Sequence, residues 1–136
     1  MMQNRSAPTP QRFLSGLVEG VCESICNFAA KLVKIGDIAL GEFPLLLAPM
    51  EDVSDPPFRY VCKQQGADLM YTEFISSEGL IRDAVKSRQK LDIFDYERPI
   101  GIQIFGGDEE AMGLAAKIVD ATQPDLLDIN FGCPVQ

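Results

Sequence analysis

With 136 residues, of which 46% are hydrophobic and 24% charged, the chain can build one modest domain, and wholesale disorder is excluded. A formal charge of −8 argues against the broad basic surface with which proteins grip nucleic-acid phosphates. There is no histidine, and the four cysteines form no CxxC pair, which excludes Cys/His zinc fingers and Ser-His or Cys-His catalytic pairs within these residues.

Residues 1–12 (MMQNRSAPTPQR) are polar and proline-containing, and predict a frayed start. Phe13, Leu14, Leu17, Val18, Val21, Cys22, Ile25, Phe28, Ala29 and Leu32 then recur at three- and four-residue steps, predicting an amphipathic helix. Arg5 and Arg12 raise the question of a targeting segment, but Glu19 and Glu23 interrupt the apolar run a secretory leader needs. A docking helix or an extension is the better reading. Cys22 and Cys26 lie one turn apart and read as small apolar residues of its face. No apolar run reaches the length of about 18 residues that suggests a membrane span. The cysteine usage predicts reduced thiols and a cytoplasmic protein.

From Val33 the texture changes. KIGDIALGEF alternates around two glycines, as a short hairpin does. Residues 45–50 (LLLAPM) form a continuous apolar run, predicting a strand buried on both faces. Ser54 or Asp55 can cap a helix that opens with Pro56 and Pro57, carries Phe58, Val61 and Cys62 as its apolar stripe, and stops at Gly66. Residues 69–74 (LMYTEF) predict a second strand, 77–91 a helix, and 99–105 (PIGIQIF) a third strand. Asp108 caps another helix, with Glu109 and Glu110 in its dipole-favoured first turn and Met112, Ala115, Ile118 and Val119 facing inward. Gln123-Pro124 ends it, and residues 126–131 (LLDINF) predict a fourth strand. Strands alternating with helices imply a parallel α/β sheet, either doubly wound or part of a (β/α)8 barrel. An intact barrel needs about 250 residues, so these can supply about half of one.

In such folds ligands sit at the C-terminal ends of the strands. Those ends read Ala48-Pro49-Met50 with Glu51 and Asp52, then Thr72-Glu73, then Gln103 before Gly106-Gly107, then Asp128 and Asn130 before Gly132-Cys133-Pro134. Four strands that each turn polar at the same end predict a shared polar site. Neither GxGxxG nor GxxxxGKS is present, so Rossmann and P-loop nucleotide sites have no support. Cys133, on a tight loop after a strand, is the one candidate for reactivity, as a nucleophile or a proton donor; inert packing is an equal reading on position alone.

The segments LLLAPMEDVSDPPFR (45–59), GADLMYTEF (66–74), RPIGIQIFGGDEEAM (98–112) and LLDINFGCP (126–134) resemble the successive motifs of bacterial tRNA-dihydrouridine synthases. The resemblance runs without a gap from about residue 33 to 136. It implies the N-terminal half of an FMN-binding (β/α)8 barrel (TIM barrel) over residues 34–136, with residues 1–33 an extension outside the match. It implies FMN-dependent reduction of the C5–C6 double bond of tRNA uridines with electrons from NADPH. Cys133 then corresponds to the general acid that protonates C5. Pro49, Met50 and Glu51 lie beside the flavin, Gln103 bonds its pyrimidine edge, and Asn130 orients flavin or uracil. No metal is implied.

The family continues past its cysteine motif with basic residues, a further lysine and histidine at the site, phosphate-binding loops and a helical tRNA-binding domain. The chain is therefore expected to be a fragment, inactive alone, with tRNA held mainly through the absent region. Two alternatives remain: a non-catalytic half-barrel that associates with another chain or with itself through open strand edges, and another FMN-dependent barrel oxidoreductase.

Overall fold

The computed structural model describes residues 32–132; Cys133 and the predicted helix over 13–32, but for its last residue, lie outside the described residues. Among them, no helix is long and apolar enough to cross a membrane. The first feature is the expected hairpin, β1 (Lys34–Ile35) antiparallel to β2 (Ile38–Ala39). Gly36 turns it at φ +56°, a left-handed geometry that costs a residue without Cβ little.

A parallel sheet follows, made of β3 (Leu46–Leu47), β4 (Leu69–Tyr71), β5 (Ile75–Ser76), β6 (Ile100–Phe105) and β7 (Leu126–Ile129). The long β6 is its centre. β4 and β5 pair with the start and end of β6 along one side, β7 pairs along the other, and β3 pairs with β4. Between them run α1 (Pro56–Gln64), α2 (Ser77–Ile81), α3 (Val85–Gln89), a 3-10 turn (Asp95–Glu97) and α4 (Glu109–Asp120). Four strand positions in chain order, all parallel and joined by helical segments, make half of a (β/α)8 barrel, the predicted class.

Several predicted boundaries are corrected. The second strand is interrupted: Met70 faces Ile100 but Ile75 faces Ile104, so five steps on one strand match four on the other. The extra residue makes a bulge. Thr72 still donates its N–H to the Gly101 carbonyl, while its hydroxyl turns to the Glu73 carbonyl and the ladder lapses across Glu73 and Phe74. The single helix predicted over 77–91 is two, because Asp83 between them adopts φ +59°, which a right-handed helix cannot contain.

Both outer strands are shorter and more open than their apolar sequences suggest. Only Leu46 and Leu47 of the 45–50 run are in the ladder, with Leu45 and Leu46 62% and 46% exposed, because β3 has a neighbour on one side only. The fourth strand ends at Ile129 and is likewise an edge.

The core lies between β5, β6 and the helices. Ile75, Ile102 and Ile104 pack against Leu80, Leu91, Ala115 and Val119; Met112 and Ile118 are only partly buried, at the margin of this cluster. Asp108 caps α4 as expected, its carboxylate accepting the Ala111 N–H, and Asp55 caps α1 through the Phe58 N–H. The predicted apolar stripe of α1 is not its buried face, since Phe58 and Val61 are exposed and Cys62 is half-buried. Arg59 is buried instead. Its guanidinium forms a two-pronged pair with the buried Glu97, both contacts at 3.1 Å, and donates to the Ser54 and Asp92 carbonyls. Glu97 also accepts the Phe94 N–H. A charge can be buried where it is paired and each of its nitrogens has a hydrogen-bond acceptor, and that requirement sets the inward face of α1.

Candidate functional site

Register places two rows of side chains on the sheet face opposite the core. Tyr71, Gly101 and Leu126 stand abreast, and one step on, Gln103 faces Asp128. Gly101 is required by this packing: a Cβ there would lie 2.6 Å from Leu126 and 2.7 Å from the Tyr71 ring. Gln103 is buried to 8% exposure; its Nε2 donates to Asp128 at 2.5 Å and its Oε1 accepts from the Asn130 Nδ2 at 3.4 Å. The Asn130 Oδ1 in turn accepts the Gly132 N–H at 2.9 Å. A relay of polar contacts thus leads from the sheet to the residue before Cys133. Burial, and secondarily the Asp128 carboxylate, hold the Tyr71 phenol above its ordinary pKa, so it stays a neutral donor at physiological pH.

A second group sits at the C-terminal end of β3. In the turn toward α1, the Ser54 hydroxyl accepts the Met50 N–H and donates to the Met50 carbonyl, both at 2.8 Å. Asp52, at φ +57°, donates its N–H to Glu73 at 3.1 Å. The Lys90 ammonium reaches Glu51 at 2.5 Å and Glu73 at 3.3 Å. Glu51, Asp52 and Glu73 each bring a carboxylate oxygen within 4.8 Å of the others, and Lys90 supplies positive charge to two of them. The turn is thereby tied to the bulged strand. A cavity of about 390 Å³ opens beside Glu51, Asp52 and Lys90, and one of about 640 Å³ beside Gly106, Gly107, Asn130 and Phe131.

Of the predicted site residues, Gln103 and Asn130 are brought into contact. Pro49, Met50 and Glu51 form the separate turn, and no hydrogen bond joins them to that pair among the described residues. Cys133 lies outside the described residues. Several participants were not among the site residues chosen from sequence, Asp128 and Lys90 among them. Asp128 was visible as a strand-end carboxylate two residues before Asn130, the period at which side chains share a face. Lys90 had no distinguishing signal, because its partners are 39 and 17 positions away.

A family model described as dihydrouridine synthase matches residues 46–136. A protein of Aquifex aeolicus (strain VF5) named "Probable tRNA-dihydrouridine synthase" is 42% identical over 93 residues, covering 67% of this chain and 29% of its own length. A protein of the same name from Treponema pallidum (strain Nichols) is 38% identical over 104 residues, 76% of this chain and 30% of its length. The "tRNA-dihydrouridine synthase B" of Pseudomonas syringae pv. tomato is 38% identical over 92 residues, 68% of this chain and 27% of its length. The chain spans about three tenths of the curated relatives it matches.

Proposed function

Because the chain belongs to the dihydrouridine synthase family, we propose that it is the first part of an FMN-dependent tRNA-dihydrouridine synthase that reduces tRNA uridine with electrons from NADPH in the cytoplasm. The observation that carries this reading is the Asp128–Gln103–Asn130–Gly132 relay, which runs from the sheet to the residue that precedes Cys133 in sequence. Residues 34–136 form the catalytic half-barrel and residues 1–33 an extension.

The donor set fits a flavin: two carboxamides at strand ends offer both donors and acceptors to the polar edge of a pyrimidine ring. Gln103 would bond that edge, Asn130 would orient flavin or uracil, and Pro49, Met50 and Glu51 would flank the ring system. When bound, FMN supplies hydride to uracil C6. The chain's part is placement and one proton. Cys133 donates that proton to C5; a free thiol, with an unperturbed pKa of roughly 8.5, is mostly protonated near neutrality, which suits this acid role. The uridine must leave the tRNA stack to reach these groups.

The test is single-turnover reduction of tRNA by the pre-reduced flavoenzyme carrying this segment, with Cys133→Ala compared to the parent. The variant keeps FMN and its reduction by NADPH but loses ~10²–10⁴-fold in dihydrouridine formation. Reduction at the parental rate would remove Cys133 from the mechanism. A second reading, a non-catalytic half-barrel that pairs with another chain or itself, is favoured by the exposed Leu45, Leu46, Leu127 and Ile129 along the two edge strands. Gel filtration with an absorbance scan separates the two, since only the first requires FMN.

A further inference from the structure

We propose that the cavity walled by Phe74, Phe105 and Lys86 receives one RNA nucleotide adjoining the uridine to be reduced, with its base on the aromatic pair and its phosphate on Lys86. This rests on the reading of the chain as part of a tRNA-reducing enzyme and adds where this segment meets the RNA.

The cavity lies where the sheet's polar ends converge, bordered by Glu51 after β3, Ser76 at the end of β5 and Phe105 at the end of β6. Its volume of about 230 Å³ is below the ~300–1,000 Å³ of sites that enclose whole ligands, and suits a single ring. Phe74 and Phe105 are both half-buried, with centroids 5.5 Å apart and planes at 75°, an edge-to-face contact that takes up one face of one ring and leaves the pair's other faces to their surroundings. Half-exposed aromatic faces are the platforms on which unpaired bases stack, whatever their identity.

Charge selects the partner. The chain carries −8 overall, so an RNA contact needs a local exception. In this wall the Glu51 carboxylate is met by Lys90, while the exposed Lys86 has no ion-pair or hydrogen-bond partner among the described residues. Its neighbours differ: Arg82 pairs with Glu78 and Arg88 with Asp83. Lys86 therefore offers one unpaired ammonium beside an aromatic floor, at the margin of the Glu51, Asp52 and Glu73 carboxylates that Lys90 partly offsets, with Ser87 lining the same space. Base stacking and phosphate neutralisation at one place are the chemistry of a single-stranded RNA subsite.

Fluorescence anisotropy of a fluorescein-labelled, unmodified tRNA transcript titrated with the full chain tests this. Lys86→Gln should lower the slope of log affinity against log salt by about one. Phe74→Leu should weaken binding at least about fivefold, the lower bound for loss of one stacked base. Lys117→Gln, altering an exposed lysine of α4 that borders none of these cavities, should leave both unchanged. Equal effects of Lys117→Gln and Lys86→Gln, parental affinity in both cavity variants, or no tRNA binding by the parent would each overturn the subsite. The FMN content of the longer flavoenzyme carrying this segment reports separately on the functional reading, since this chain alone is expected to bind FMN weakly or not at all. Bound FMN in that enzyme with the RNA affinity of the cavity variants unaltered sinks the subsite alone, whereas absence of FMN from it counts against the flavin reading alone.

Discussion

Arg59 and Glu97 show how strongly a single buried side chain can commit a fold. The two ionised groups share two contacts at 3.1 Å and are almost wholly shielded from water, and each has further backbone partners. Removing one leaves an uncompensated buried charge, at a cost of about 3–5 kcal/mol. Thermal unfolding of Arg59→Met and of Glu97→Gln should show this loss, and the double replacement Arg59→Met with Glu97→Leu should recover part of it. Gly106 is constrained by space: a Cβ there would lie 2.1 Å from the buried Ser77 Oγ and 3.1 Å from the Met112 Sδ. Gly106→Ala should cost about 1–3 kcal/mol, as overpacking does, and adding Ser77→Ala should relieve most of it in the same melt. Tyr71 carries a pH signature. Its folded pKa is raised, so above the ordinary tyrosine range the unfolded chain gives up the proton while the folded chain still holds it. The stabilising difference is complete below pH ~10 and is lost as pH rises through the folded value. Tyr71→Phe should therefore flatten the alkaline fall in melting temperature between pH 9 and 11, measured against the parent.

At the scale of elements, the turn after β3 is held from outside itself. Lys90, only 18% exposed, spans Glu51 and Glu73, and Glu73 in turn accepts the Asp52 N–H. Lys90→Met should speed hydrogen exchange at the Asp52 amide while leaving the β6 amides unchanged, and Lys90→Arg should largely restore it. Parental exchange at Asp52 in Lys90→Met would show that the Ser54 contacts suffice. These tertiary ties explain what the sequence could and could not reveal. The capped starts of α1 and α4 were legible because caps act within three residues, Asp55 on Phe58 and Asp108 on Ala111. Gln103 and Asn130 were legible as polar strand ends, but their mutual contact and the share of Asp128 depend on how β7 registers against β6. The inward face of α1 was misread because hydrophobicity is the usual guide to burial, and here a hydrogen-bonded arginine outranks Phe58 and Val61.

Across the described sheet, stability should grade outward from β6, the longest strand, which has partners on both sides and all five residues Ile100–Ile104 buried. Native-state exchange should find the Ile102 and Ile104 amides among the slowest, and those of Leu46 and Leu47 several orders faster, because local opening follows the density of buried contacts. Similar protection at centre and edge would contradict this gradient. The alternation of strands and helices was readable from hydrophobic periodicity alone, whereas the break after Tyr71 was not, since LMYTEF is as regular as an unbroken strand. That break inverts the phase of the strand. Before it, Tyr71 faces the sheet's polar side; after it, Ile75 turns to the helices and Ser76 takes the polar side beside Phe105. A mutagenesis library that varied every second residue from Tyr71 onward would strike Glu73 and then Ile75, collapsing the hydrophobic core while never sampling Ser76. Redesign of this half-barrel's polar face must therefore count from the bulge, with odd positions before it and even positions after.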